Sequence, residues 1–89
     1  MIESKVTIIN KLGLHARAAA KLVTLASSFQ ATIKLQTNGK QANGKSIMSV
    51  MMLAASKGTE ITLLINGGDE KQALAALKIL IQQRFDEAE

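Results

Sequence analysis

The chain contains no cysteine, no tryptophan and no tyrosine, and its only aromatic residues are Phe29 and Phe85. Without cysteine there are no disulfides and no thiolate metal sites. With so few aromatics the core has to be aliphatic, built from Leu, Ile, Val, Ala and Met. Long apolar runs are missing too: the longest is "VMMLAA", Val50 to Ala55, far short of a bilayer span. No membrane association is expected. The opening "MIESKVTIIN" lacks the basic, then apolar, then small-residue order of a secretory signal, so a cytoplasmic protein is expected. Acidic residues are scarce in one region. Residues 1–57 hold eight Lys or Arg and a single carboxylate, Glu3, while residues 58–89 hold three Lys or Arg and six Asp or Glu.

What is present describes an ordinary soluble globular chain, 47% hydrophobic and 20% charged. At 89 residues it is expected to form one domain over 1–89. A chain of this size buries roughly 60% of its unfolded surface, enough for one modest core. The basic bias of the first two thirds admits two readings. It is either a set of solvated lysines or a face that attracts phosphate, nucleic acid or an acidic protein.

Alternation in "KVTII" predicts a first strand with Val6 and Ile8 on one side. From Ala16 to about Ser28 the period changes. Ala19, Leu22, Val23 and Ala26 fall at helical spacing and predict an amphipathic helix. "ATIKLQT" alternates again with Ile33 and Leu35 inward. Asn38-Gly39 then predicts a tight turn into the short return strand "KQAN". Ser46 is placed to cap a helix of about two turns. "EITLLIN" is the fourth strand, with Ile61, Leu63 and Ile65 on one side. Asp69 is read as the cap of a last helix running to about Arg84, with Ala73, Leu74, Leu77, Leu80 and Ile81 as its stripe. "FDEAE" reads as a frayed acidic tail. The order β-α-β-β-α-β-α, with strands apolar on one face only, predicts an α+β fold with helices on one side of an antiparallel sheet.

The single histidine falls at the mouth of the first helix, in "NKLGLHARAAAKLV". A helix start leaves backbone N–H groups unpartnered and carries partial positive charge, which together make an anion site. With a start near Ala16, the amides of Ala16 and Arg17 are free to point at a group carried on His15. Arg17 adds a charged donor suited to phosphate oxygens. Imidazole can take up a phosphoryl group and release it again. No carboxylate near His15 in sequence is placed to position water, which suits holding rather than hydrolysis. The plainer reading is a surface histidine with no task, since histidine is not a preferred cap.

Ser46 likewise reads either as an ordinary cap or as a phosphorylation site at a helix start. Ile47, Met48, Val50, Met51, Met52 and Leu53 are more apolar side chains than one face of a short helix can bury. Either some are exposed as an adaptable docking surface, or all pad the core.

"GLHAR" before a helix, with "GKSIM" from Gly44 to Met48, resembles the HPr family of phosphocarriers. The likeness covers essentially the whole chain. The stretches around His15 and Ser46 are most similar to its NPr branch, associated with a nitrogen-related phosphotransferase system. The resemblance implies an open-faced β-sandwich, four antiparallel strands with three helices on one face. It implies that His15 is phosphorylated on Nδ1 by Enzyme I, itself charged from phosphoenolpyruvate, and passes the group to an Enzyme IIA. Arg17 matches the active-site arginine. Ser46 matches the regulatory serine modified by HPr kinase/phosphorylase where that enzyme exists. Ile47, Met48 and Met51 match part of the docking patch. A carrier is implied, not an enzyme in its own right and without cofactor; the sequence gives no sign of an oligomer, so a monomer is expected, and no second histidine or cysteine is there to bind metal. One position departs: Ala18 stands where many members have proline, which returns an N–H and some freedom to the first turn.

Two other classes stay open at this point. One is a regulatory α+β domain that binds a ligand without covalent chemistry. The other is a basic nucleic-acid-binding module, which two phenylalanines equip poorly for base stacking.

Overall fold

The computed structural model describes residues 1–89. Four antiparallel strands form one sheet in the order β1-β4-β2-β3: β1 Ile2–Thr7, β2 Thr32–Thr37, β3 Lys40–Asn43 and β4 Glu60–Asn66. Three helices complete the predicted order: α1 Ala16–Ser27, α2 Ile47–Met52 and α3 Glu70–Gln82.

The period-2 pattern sets which sheet face is buried. β2 buries Ile33, Leu35 and Thr37 and exposes Thr32, Lys34 and Gln36. β4 buries Ile61, Leu63 and Ile65. Register aligns these into rows across the sheet: Ile2 with Ile65 and Ile33, then Ser4 with Leu63, Leu35 and Ala42. The helices cover that face with small and aliphatic side chains. Ala18, Ala19, Leu22 and Ala26 of α1 and Ala73, Leu77 and Ile81 of α3 are buried in the same cluster. Asn38 and Gly39 both adopt positive φ, as a two-residue turn joining twisted strands requires.

Three expectations need correction. The first strand starts at Ile2 and ends at Thr7 rather than running from Lys5 to Ile9, because β4 pairs with it over that whole span. Ile8 is nevertheless buried, and its amide donates to the Thr59 carbonyl. Asp69 occupies the cap position of α3 but does not cap it with its side chain. Its carboxylate instead accepts from the amides of Gln30 and Ala31, tying the start of α3 to the chain entering β2.

The third correction is the largest. "FDEAE" is not a frayed tail. Arg84, Phe85 and Asp86 form a short turn, all three at positive φ, and Phe85 is fully buried in the core. A left-handed backbone costs about 1–2 kcal/mol per non-glycine residue. The turn therefore needs strong anchors. Burial of a phenylalanine contributes about 3 kcal/mol. Lys21 Nζ donates to the Phe85 carbonyl at 2.7 Å, and the Lys11 amide donates to the Glu89 carbonyl at 2.6 Å. α3 ends at Gln82 because the chain reverses its hand here.

Candidate functional site

The loop before α1 is fixed before the histidine is reached. Gly13 has φ +66°, and a Cβ there would collide with the Ala55 carbonyl oxygen and come within 2.8 Å of Ser56 Cα. Only glycine allows this approach. The Leu14 amide donates to the Ala55 carbonyl at 2.9 Å, and the Leu14 side chain is buried. Asn10, fully buried, donates from Nδ2 to the Gly13 carbonyl at 2.8 Å.

His15 then stands at the cap of α1 in an extended backbone conformation, with no capping hydrogen bond from its ring. Its carbonyl accepts from Ala19, while the amides of Ala16, Arg17 and Ala18 donate to no protein acceptor. The unpartnered amides predicted at the helix start are therefore present, with one more than expected, although Ala18 is fully buried and does not line the cleft. That third amide exists because Ala18 is not proline.

His15, Ala16 and Arg17 line one open cleft together with Lys11 and Lys21. The opposite wall is the acidic tail, contributing Asp86, Glu87 and Glu89. Sequence reasoning missed this wall. A Glu87 carboxylate oxygen (Oε2) lies against His15 Nε2, and its other oxygen accepts from Asn10 Nδ2 at 3.0 Å. No carboxylate lies near His15 along the chain, but Glu87 lies against it in space. His15 Nδ1 makes no hydrogen bond. The basic bias is partly neutralised here as well, since Lys11 pairs with Glu89 at 3.2 Å and Lys21 lies 4.0 Å from Asp86.

The Asn10 amide is the main cause that holds Glu87 below the usual carboxylate range; desolvation opposes it, and His15 and Lys21 add to the lowering. A depressed folded-state pKa contributes stability that is present above the unfolded value of 4.5 and lost as pH falls through the folded value. Docking of the tail should therefore weaken on acidification below that value. Amide exchange at residues 84–89 is expected to accelerate there, and the isosteric Glu87→Gln variant should lack this acid dependence.

The structure separates Ser46 and α2 from the cleft wall. Ser46 Oγ caps α2 by accepting from the Ser49 amide at 3.3 Å, as the capping reading requires. Val50 and Leu53 anchor the segment, while Ile47, Met48, Met51 and Met52 are exposed. They do not pad the core. Leu12, on the loop before His15, is 67% exposed and lines the cleft.

Comparison with known proteins agrees with this geometry. A family model described as "PTS HPr component phosphorylation site" matches residues 2–83. The phosphocarrier protein HPr of Cupriavidus necator is 54% identical over 89 residues, covering 100% of both chains. The phosphocarrier protein NPr of Shewanella violacea is 48% identical over 87 residues, covering 98% of this chain and 96% of its own. The crystal structure of HPr-C-His from Thermoanaerobacter tengcongensis superposes with a TM-score of 0.95 at 43% identity, over 100% of both chains. A match of this extent in family, sequence and fold means that the chain belongs to the HPr family, the phosphocarrier proteins of the phosphotransferase system, which relay a phosphoryl group and are not enzymes in their own right.

Proposed function

We propose that His15 is the residue that carries the phosphoryl group. The observation that supports this most is the pairing of a free Nδ1 with the unpartnered amides of Ala16 and Arg17 at the start of α1, in one cleft lined by His15, Ala16 and Arg17. The donor is phosphorylated Enzyme I and the acceptor an Enzyme IIA. Arg17 stabilises the phosphoryl oxygens on His15, and Ala16 and Arg17 contribute backbone donors. The exposed face of α2, with Ile47, Met48 and Met51, docks both partners. The whole of 1–89 works as one monomeric domain in the cytoplasm.

The reading is tested by charging the protein with Enzyme I and phosphoenolpyruvate, then chasing with Enzyme IIA. Label should enter this chain and leave it again. A label that cannot be chased counts against a carrier. In the same assay Arg17→Ala should slow transfer about 10- to 100-fold, the value of a hydrogen bond between charged groups. A change under twofold would remove Arg17 from the site.

Membership of a nitrogen-related branch rests on the stretch around His15 and on the likeness to the Shewanella NPr. Comparing transfer rates from sugar-type and nitrogen-type Enzyme I decides it. Ser46 is a regulatory phosphorylation site where an HPr kinase/phosphorylase is present. Phosphate there adds about −1.5 to −2 charge beside the apolar face of α2. Ser46→Asp is expected to raise the KM for Enzyme I, and unchanged transfer kinetics would argue against this role.

A further inference from the structure

We infer that Glu87, held by Asn10, is a positioning residue that selects the nitrogen of His15 to be phosphorylated and balances the charge that appears on the ring. This rests on the reading of His15 as the carrier.

A carboxylate can only accept a hydrogen bond. Glu87 Oε2 lies against Nε2, so in the neutral ring the proton resides on Nε2 and the lone pair on Nδ1. Nδ1 is also the nitrogen without a partner. In the transfer step the Nδ1 lone pair forms the bond to phosphorus. The donor's bond to phosphorus breaks, and its electron pair leaves with the donor. No proton moves. The ring now bears phosphorus on Nδ1 and hydrogen on Nε2, and is therefore cationic. Glu87 sits at the ring edge opposite the phosphoryl group, where its charge stabilises the cation without facing the phosphate. When the group moves on, the Nδ1–P electron pair returns to the ring, which leaves as a neutral imidazole with its Nε2 proton still in place. A carboxylate that orients an imidazole and stabilises its cation plays the same part in hydrolytic triads.

The arrangement is a built one. The Glu87 side chain is 15% exposed, far less than a free surface carboxylate. Phe85, two residues before it, is fully buried. Asn10 uses one amide group twice, on the Gly13 carbonyl and on Glu87. A single buried side chain thus ties the histidine loop to the tail. Its own Oδ1 is left without a partner, the only such buried side-chain atom in the chain. Its position is dictated by the two groups it donates to. The other charges around the cleft, Lys11, Arg17, Lys21, Asp86 and Glu89, line it without a hydrogen bond to either ring nitrogen.

The test is Glu87→Gln, which keeps size and removes charge. In the parent, 15N spectra of the neutral His15 ring should show the proton on Nε2. In the variant the Nδ1-protonated fraction should rise. Transfer from Enzyme I charged with phosphoenolpyruvate should slow about tenfold or more in kcat, by analogy with the cost of losing a carboxylate that orients a metal-bound imidazole, with KM unchanged. An unchanged tautomer, an unchanged kcat, or a loss carried wholly by KM overturns the assignment while leaving the carrier reading intact. Failure of the parent itself to be labelled on His15, by an Enzyme I that labels a control HPr, removes the carrier reading and this inference with it.

Discussion

His15→Ala is expected to abolish phosphoryl acceptance from Enzyme I, with no residual label. The chain offers no second histidine and no cysteine to substitute. The fold should survive. The His15 side chain is 28% exposed and does not cap α1, and the backbone contacts of its loop run through Gly13 and Leu14. Loss of a partly exposed side chain away from the core should change stability by no more than about 1 kcal/mol. Denaturant unfolding of the variant alongside the labelling assay separates the two effects. Labelling at the parent rate would contradict the assignment of His15.

Phe85→Ala is expected to be the most destabilising single change in the C-terminal segment. Truncating a buried phenylalanine costs about 3–5 kcal/mol. The low end, about 3 kcal/mol, is expected here, because the freed segment escapes its left-handed backbone at Arg84, Phe85 and Asp86. The second consequence concerns the site. Without Phe85 the turn loses its anchor, Lys21 loses a fixed carbonyl, and Glu87 is no longer held against His15. Denaturant titration measures the first effect and amide exchange at residues 84–89 the second. A loss below about 1 kcal/mol with the tail still protected would mean that Phe85 is not what holds it.

These two residues also show what could be read in advance. The place of His15 at the mouth of α1 was legible because its signal is local. A glycine, a cap position, a run of alanines and an arginine all lie within a few residues of one another, and the helix start follows from them. The strands were legible for a similar reason, since Ile33, Leu35, Ile61, Leu63 and Ile65 alternate without interruption. Ser46 as a cap followed from its place before an apolar segment.

The tail was not legible, because its position depends on contacts far away in sequence. Glu87 meets Asn10 and His15 across 77 and 72 residues, and Lys21 reaches Phe85 across 64. No periodicity marks "FDEAE", and three consecutive left-handed residues have no signature when none is glycine. One signal was available. In a chain with only two aromatics, a phenylalanine inside an acidic tail is too large an apolar group to leave in water. Asp69 failed for the same kind of reason: its sequence context is that of a cap, but two amides from another loop take its carboxylate.

The charge asymmetry becomes intelligible once the tail is docked. The acidic end of the chain folds back over the basic region around α1, so that Glu87 and Glu89 face His15 and Lys11. The sequence separates these charges, and the fold joins them at the cleft.

Retention of the phosphoryl group on His15 Nδ1 is open to direct measurement. It is tested most directly by charging the parent protein with Enzyme I, Mg²⁺ and phosphoenolpyruvate, then locating the phosphate under alkaline conditions by mass spectrometry and assigning the nitrogen by NMR. One acid-labile phosphate on His15 Nδ1 is expected. Phosphate on another residue, on Nε2, or nowhere while a control HPr is labelled, would contradict it.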